Sequence, residues 1–250
     1  MHLPVRQSVF PEPTASTPTA PALPADPPDD AADPADILDW LADATDPATW
    51  VLTTSYGMEG CVLIDMVAQL HTPVRVVMVD TGFLFPETLD VEDRMRHRHP
   101  HLRFERVSTD LSPALQEHVY GPDLWARKPD LCCALRKVEP LRRALVGSEV
   151  WLTALRRGSN PTRADAPIVD RHFGYGVLKV APLATWDRRD AWNFVNQHDT
   201  PVNQLHERGY PSIGCTHCTR PVEGAKPTDD DRSGRWAGKD KTECGLHYQI

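Results

Sequence analysis

The chain has 250 residues, of which 40% are hydrophobic and 25% charged, and its formal net charge is −8. This length suits one α/β domain with a tail or two small domains. The acidic balance argues against binding to nucleic acid or to a membrane surface, because both favour a basic surface. We find no apolar run of the roughly 20 residues that a membrane helix needs and no secretory signal, so we expect a cytoplasmic protein.

Residues 1–34 are dominated by Pro, Ala, Thr and Asp and show no apolar periodicity. Such a segment cannot offset the entropy lost on ordering, so we predict a disordered arm. An α/β domain is predicted over residues 35–226. Residues 227–250 are predicted to be a mobile C-terminal segment, since Gly234, Gly238 and Gly245 flank a cysteine there.

The predicted domain alternates strand-like and helix-like segments. We predict strands at 50–54, 74–79, 102–107, 150–155 and 177–180, and helices at 61–70, from 86, at 133–145 and at 188–197. This alternation indicates a parallel sheet with helices on both faces. Ligands of such sheets bind beyond the carboxyl ends of the strands, so motifs that follow a strand are candidates for the site.

Two turns follow the first two predicted strands. Ser55, Tyr56 and Gly57 precede a helix, whose N-terminal N–H groups are suited to bind an anion, although an ordinary strand–helix turn has the same pattern. The second turn is Asp80-Thr81-Gly82. Its aspartate is suited either to hydrogen-bond a nucleotide or to cap the next helix.

An arginine-rich loop follows the strand predicted at 150–155. Arg156, Arg157 and Arg163 lie in a stretch punctuated by Gly and Pro, and arginine binds phosphate or sulfate oxygens in a bidentate manner. A solvated loop is the alternative interpretation. Arg232 and Arg235, near the C-terminus, are expected to add to the same basic pocket.

Five of the six cysteines lie in distinctive positions. Cys132-Cys133 and Cys215-x-x-Cys218 supply four thiolates, enough for a zinc ion or a [4Fe–4S] cluster. Adjacent cysteines favour the cluster, since two successive side chains reach one small ion only if the backbone bends. Cys61 lies in an apolar helix and is interpreted as a small buried hydrophobe.

Cys244 has no neighbouring cysteine and is interpreted as a lone thiol. Lys241 and His247 flank it and are expected to lower its pKa, which favours the nucleophilic thiolate. A surface cysteine without function is the alternative.

Together these motifs resemble the assimilatory adenylyl-sulfate and phosphoadenylyl-sulfate reductase family. The resemblance runs from Trp50 to the end of the chain and is carried by the two cysteine pairs and by Glu243-Cys244-Gly245-Leu246-His247. It implies a Rossmann-like α/β fold of the adenine-nucleotide hydrolase type and a [4Fe–4S] cluster. The cluster ligands implied are Cys132, Cys133, Cys215 and Cys218.

The resemblance also implies which residues contact the substrate. The branch with both cysteine pairs generally uses adenosine 5′-phosphosulfate, which lacks a 3′-phosphate. Lys137 would lie between the cluster and the substrate. The full set of implied substrate contacts is Ser55, Tyr56, Gly57, Asp80, Thr81, Gly82, Lys137, Arg156, Arg157, Arg163, Arg232, Arg235 and His247.

The activity implied is reduction of adenosine 5′-phosphosulfate to sulfite and AMP, with Cys244 as nucleophile and thioredoxin or glutaredoxin as electron donor. Use of the 3′-phosphorylated substrate, or of both substrates, remains open, as does a homo-oligomer. An ATP-dependent sulfurtransferase is a second enzyme class, although Ser55 to Glu59 departs from its Ser-Gly-Gly-x-Asp-Ser loop. A non-enzymatic zinc or cluster module is the third alternative.

Overall fold

The computed structural model describes residues 20–172, 174–224 and 231–247. Its strands are β1 Trp50–Thr54, β2 Arg75–Asp80, β3 Arg103–Ser108, β4 Val150–Thr153, β5 Val169–His172 and β6 Val177–Val180. They form one sheet in the order β3-β2-β1-β4-β6-β5. The predicted strands at 50–54 and 177–180 coincide with β1 and β6, and the other three differ by one or two residues at their ends.

The helices surround this sheet. They are α1 Pro34–Ala44, α2 Met58–Ala68, α3 Pro86–Arg98, α4 Pro113–Tyr120, α5 Leu124–Arg127, α6 Pro129–Cys133, α7 Glu139–Ala144 and α8 Arg188–His198. The helix predicted at 133–145 is interrupted, because a π-helical turn, Ala134–Val138, joins α6 to α7. The elements α1, α4, α5 and β5 have no counterpart among the predicted elements, and α6 overlaps the helix predicted at 133–145 only at Cys133.

The prediction of a parallel sheet is confirmed except at one edge. Strand β5 pairs with β6 in the antiparallel sense, with Val169 opposite Val180. The physical reason is the short turn between them, because parallel neighbours need a long crossover. Gly176 ends this turn with a φ of +68°, a backbone conformation that favours glycine.

The core lies on both faces of the sheet, since successive strand residues point to opposite sides. Leu52, Leu152 and Val180 pack in a large cluster with buried residues of α1, α2, α3 and α8. Val51 and Trp151 directly precede Leu52 and Leu152 in the sequence, and they pack with residues of α7 in a second cluster. The predicted helices on both faces are therefore present.

The strand order places a crevice between β1 and β4. The chain passes from β1 to β2 and β3 on one side, and then returns to β4 and β6 on the other. The loops that follow β1 and β4 consequently diverge to opposite sides of the sheet. Such a reversal point is where open α/β sheets bind ligands, beyond the carboxyl ends of the strands.

The N-terminal strap, residues 20–33, differs from the predicted disorder. Ala20 is 1% exposed, and Arg171 on β5 donates to the carbonyls of Ala20 and Pro21 at 3.1 Å each. The Trp40 indole donates to the carbonyl of Ala25 at 3.0 Å. Ordered structure thus begins before residue 35, because these contacts lie in the tertiary fold and not in the local sequence. The remainder of the predicted arm, residues 1–19, lies outside the described residues.

The C-terminal segment, residues 231–247, docks beside the Cys215–Cys218 turn. The Trp236 N–H donates to the carbonyl of Cys218 at 3.0 Å, and the Arg220 N–H donates to the carbonyl of Gly234 at 2.9 Å. The predicted mobility of this segment stays a prediction, and residues 225–230 and 248–250 lie outside the described residues. Across the described part of the chain, no helix combines the length and apolar character needed to cross a membrane.

Candidate active site

A cavity lies at the crevice between β1 and β4, beyond the carboxyl ends of both strands. Sequence-predicted residues from several separate segments line it. They are Ser55, Gly57, Thr81, Lys137, Arg156, Arg163, Arg232, Arg235, Cys244 and His247. The predicted nucleophile and most of the predicted substrate contacts therefore share one space.

The turn after β1 presents an uncapped helix end to this cavity. The Tyr56 N–H donates to Thr54 Oγ1 at 2.8 Å, and a Cβ on Gly60 would lie 2.4 Å from the same oxygen, so the turn requires glycine there. Gly57 begins α2 without a side-chain cap. The first N–H groups of this 11-residue helix are consequently available to an anion in the cavity.

The Tyr56 side chain lies in the core and does not line this cavity, and the predicted substrate contact of this residue stays a prediction. The ring is fully buried in the core and the hydroxyl has no hydrogen-bond partner among the described residues. Burial raises the pKa of this phenol above its ordinary value. The left-handed backbone at this residue, with a φ of +52°, turns the side chain inward, which the sequence pattern did not reveal.

Asp80 and Gly82 do not line the cavity either. The Asp80 carboxylate accepts a hydrogen bond from the Gly82 N–H at 2.8 Å, so it closes its own turn and neither caps α3 nor faces a ligand. Gly82 has a φ of +71°, and an added Cβ would lie 3.3 Å from the Arg136 guanidinium. Only Thr81 of this predicted trio lines the cavity.

The arginine loop, residues 156–163, is neutralised by carboxylates from elsewhere in the chain. Arg156 is 2% exposed and pairs with Glu59 at 2.7 Å and with Asp231 at 2.5 Å. Arg163 holds Glu243 in a bidentate pair, at 2.6 and 2.9 Å. Both guanidinium groups are therefore engaged with the protein itself.

Arg157 does not line the cavity, and its predicted substrate contact stays a prediction. It holds Asp30 of the N-terminal strap at 2.5 and 2.9 Å, and its Nε donates to the carbonyl of Ala166 at 2.7 Å. Position in the loop alone could not show this, because the strap that attracts it lies more than a hundred residues earlier in the chain.

Three cationic side chains lie on the wall of the cavity near Cys244, and we call Lys137, Arg232 and Arg235 the cavity cations. Arg235 packs so closely on Gly214 that a Cβ there would lie 2.2 Å from Nη2. Its side chain is 8% exposed, and its Nε has no partner among the described residues. Burial and the nearby arginines lower the pKa of Arg232 to about 10, so it remains charged at neutral pH.

Cys244 is 8% exposed and packs against Cys133 and Trp236. Burial alone would raise the pKa of its thiol. Lys137, Arg232, Arg235 and a hydrogen bond from the backbone of Leu246 outweigh burial and lower that pKa below its ordinary value. The cavity therefore favours the thiolate, the reactive form of cysteine.

The groups expected to activate Cys244 are not the ones that do so. Lys241 pairs with Asp130. His247 is neutral at pH 7, because burial and the charges of Arg163 and Lys179 hold its pKa well below the usual range. Its ring stacks on Trp151, with centroids 5.5 Å apart and an interplanar angle of 6°.

The four predicted cluster ligands line one smaller cavity next to the first. Cys132, Cys133, Cys215 and Cys218 contribute to its wall, together with Phe83, Trp125, Pro129, Arg136, Lys137 and His217. Lys137 and Cys215 line both cavities, and the implied place of Lys137 between the cluster and the substrate stays a prediction. Thr81 Oγ1 lies 3.3 Å from Cys215 Sγ.

The backbone changes its helical form directly after the first cysteine pair. The π-helical turn Ala134–Val138 begins after Cys133, and such turns are frequent at functional sites. Within the described residues, no group of three or more His, Cys, Asp or Glu side chains is arranged to hold a metal ion.

Comparison with known proteins agrees with this geometry. Residues 49–221 match the phosphoadenosine phosphosulfate reductase domain family. A curated relative from Halalkalibacterium halodurans is 41% identical over 214 residues, which cover 82% of this chain and 91% of the relative. The chain belongs to this reductase domain family.

Other relatives and a solved structure extend the family assignment. A relative from Gloeobacter violaceus is 45% identical over 200 residues, covering 79% of this chain and 81% of that protein. The crystal structure of a reductase of the family from Candida auris superposes with a TM-score of 0.65 at 27% identity, covering 77% of this chain and 91% of that one. The expected fold type is thereby confirmed.

Sequence reasoning missed the carboxylates of this family member's site. Glu59 and Asp231 pair with the buried Arg156, and Glu243 pairs with the partly buried Arg163. Only Glu243 carried a signal, since it directly precedes Cys244. Gly214 was also missed, although it directly precedes Cys215 and gives Arg235 its position.

Proposed function

We propose that this protein reduces adenosine 5′-phosphosulfate to sulfite and AMP, with Cys244 as the nucleophile. The observation that carries the proposal is the shared cavity, in which an activated thiol lies beside three cations at the nucleotide-binding edge of the sheet. The Halalkalibacterium relative is named an adenosine 5′-phosphosulfate reductase. This makes the protein an oxidoreductase of sulfate assimilation.

The first step follows from the electrostatics of the cavity. The Cys244 thiolate attacks the sulfate sulfur, the bond between that sulfur and the bridging oxygen breaks, and AMP leaves with the electron pair. The product on the enzyme is an S-sulfonated cysteine. Lys137, Arg232 and Arg235 stabilise the negative charge on the phosphate as it leaves, and the N-terminus of α2 offers N–H donors to the same group.

The second step requires a dithiol protein, for which we propose thioredoxin or glutaredoxin. One of its thiolates attacks Cys244 Sγ, and sulfite leaves with the electron pair of the broken sulfur–sulfur bond. The second thiol of the donor then attacks the mixed disulfide, which frees Cys244 and leaves the donor oxidised. The two electrons come from the donor, so the reaction suits the reducing cytoplasm.

We further propose that Cys132, Cys133, Cys215 and Cys218 hold a [4Fe–4S] cluster. The support is the convergence of the four thiols on one cavity. When bound, the cluster would supply order and charge, because the electrons come from the thiol donor. Lys137 lines both this cavity and the main one, and we propose that it lies between the cluster and the substrate.

Use of the 3′-phosphorylated substrate is the second candidate. The Gloeobacter relative, which is 45% identical, is named a phosphoadenosine 5′-phosphosulfate reductase. The test therefore uses both nucleotides. Sulfite release by anaerobically purified protein with thioredoxin is measured with each of them, and the two rates are compared. Strong preference for adenosine 5′-phosphosulfate supports the proposal. Sulfite from neither nucleotide, with iron and sulfide bound, would refute it.

The nucleophile is tested with Cys244→Ser. We expect sulfite release to fall below detection while AMP still binds, because the hydroxyl is a much weaker nucleophile than the thiolate. Cys61→Ser is the matched control, since this buried cysteine lies in the core and not in either cavity. Wild-type sulfite release by Cys244→Ser would contradict the mechanism.

The cluster is tested by the metal content of the same preparation. About four irons and four sulfides per chain are expected of a four-cysteine cluster. Stoichiometric zinc without sulfide would contradict the cluster and leave the thiol chemistry of Cys244 untouched.

A further inference from the structure

The stretch that carries Cys244 has no regular secondary structure to hold it. Residues 242–247 form neither helix nor strand. Residues 231–236 are fixed by backbone bonds to the Cys215–Cys218 turn, and Lys239 donates to the carbonyls of Trp125 and Ala126 at 3.1 and 3.0 Å. Beyond these anchors, the position of Cys244 depends on side-chain contacts.

Lys241, which pairs with Asp130, precedes this stretch, and within residues 242–247 the shortest hydrogen bonds belong to Glu243. Its carboxylate meets Arg163 at 2.6 and 2.9 Å, whereas Arg232 Nε reaches the Thr242 carbonyl at 3.2 Å and Lys179 Nζ reaches the His247 carbonyl at 3.3 Å. The pair is shielded from water, because the Glu243 and Arg163 side chains are 6% and 13% exposed. A two-point contact fixes direction as well as distance.

Glu243 and Cys244 face different environments. Consecutive side chains of a non-helical, extended backbone point to opposite sides. Cys244 lines the main cavity, whereas Glu243 does not line it and instead pairs with Arg163 on the cavity wall. Arg232 lies 3.4 Å from the same carboxylate. A carboxylate held on the wall therefore determines where the adjacent thiol lies in the cavity.

We propose that Glu243 is a positioning residue, which through Arg163 holds Cys244 in the cavity at the place where it attacks the substrate. The expected effect on kcat rests on the proposed function, whereas the position of Cys244 does not. In this proposal Arg163 orients the nucleophile, whereas the sequence analysis expected it to bind the substrate anion. Small displacements of a reacting group are costly, with about 1 Å of misplacement lowering rates about 100-fold.

The test uses the cluster-loaded enzyme with Glu243→Gln, which keeps the size of the side chain and removes its charge. We expect kcat to fall about 100-fold with the affinity for AMP unchanged. Glu243→Asp, which keeps the charge, should recover part of kcat. Glu223→Gln is the matched control, because Glu223 is exposed and lies outside the cavity.

A second readout needs no substrate. Iodoacetamide modification of Cys244, followed by mass spectrometry of its peptide, reports how often the segment leaves the cavity. We expect it to be about tenfold faster in Glu243→Gln than in the wild type, since local opening exposes the thiol. This result stands even if the enzyme proves to act on another nucleotide, so failure of the proposed function and failure of this inference are distinguishable.

The double variant Glu243→Gln/Arg163→Gln decides whether the two residues act as one unit. If they do, it should lose little more kcat than either single variant. Additive losses, unchanged modification of Cys244, or a kcat of Glu243→Gln within twofold of the wild type would each overturn the inference. Loss of AMP binding in Glu243→Gln would also overturn it, because the defect would then lie in the cavity as a whole.

Discussion

The arginine loop and the cavity cations contain similar side chains but differ in what those side chains contact. Arg156 and Arg163 in the loop meet carboxylates at 2.5 to 2.9 Å. Among the cavity cations, Arg232 lies 3.4 Å from Glu243, whereas the hydrogen bonds of Arg235 to described residues go to neutral oxygens, Ser212 Oγ and the Ile213 carbonyl, both at 3.4 Å. The loop arginines hold the protein together, whereas Arg235 retains capacity to bind an anion. The number of arginines in a loop therefore does not locate an anion site, because the groups that each arginine contacts decide whether it can bind an anion.

The largest effect on stability is expected for Arg156→Met. Removal of this buried guanidinium leaves Glu59 without its ion-pair partner and Asp231 with Arg188 alone, and breaking a buried ion pair from one side costs about 3–5 kcal/mol. Urea unfolding measures the change. Arg189→Met is the control, because Arg189 is 80% exposed. Equal stabilities of Arg156→Met and Arg189→Met would show that the ion pairs of the arginine loop do not stabilise the protein, which would contradict its contrast with the cavity cations.

A second prediction concerns Arg235→Ala, which removes a cavity cation. Loss of a charged hydrogen-bond donor is expected to lower kcat/KM for adenosine 5′-phosphosulfate about tenfold to 100-fold. Stability should change little, because no carboxylate pairs with this guanidinium among the described residues. Arg235→Lys should recover part of the loss. A large loss of stability with unchanged kinetics would place Arg235 with the loop arginines instead.

Lowering the pH should show how much stability the ion pair between Glu59 and Arg156 contributes. Burial would raise the pKa of this carboxyl, but Arg156 lowers it below its ordinary value. Its contribution to stability is therefore present above the ordinary pKa and is lost as the pH falls through the folded-state value. Without Arg156, burial dominates and the protonated form is favoured in the folded protein.

The stability deficit of Arg156→Met should consequently shrink between pH 7 and pH 4, by at most about 1.4 kcal/mol per pH unit through Glu59. Urea unfolding of wild type and variant across this range gives the difference. A deficit that stays constant with pH would mean that the Arg156 contacts matter through packing and not through charge.

The smallest effect is expected for Arg157→Gln. Its partner Asp30 is 65% exposed, so water screens the pair and little stability depends on it. We expect the midpoint of thermal unfolding and the rate of sulfite release to match those of the wild type. A clear drop in the rate alone would show that the N-terminal strap acts on the arginine loop after all.

Much of the fold followed from local pattern. Strand–helix alternation predicted the sheet and the helices on both faces, since side-chain periodicity reports burial residue by residue. Helix α4 escaped prediction because only Gln116 of its residues is buried, which leaves no apolar stripe. Helix α1 has such a stripe, Ile37, Leu38 and Leu41, but it begins within the Pro- and Asp-rich composition of the predicted arm.

For the site, the sequence by itself determined which chemistry is present: two cysteine pairs, a lone cysteine and enough cations to bind an anion. Tertiary structure alone decided which cation meets which acid. Arg156 and Asp231 are separated by 75 positions, and Arg163 and Glu243 by 80. Charge pairing at that separation has no periodicity and no local propensity, because it depends on where the folded chain brings distant segments together.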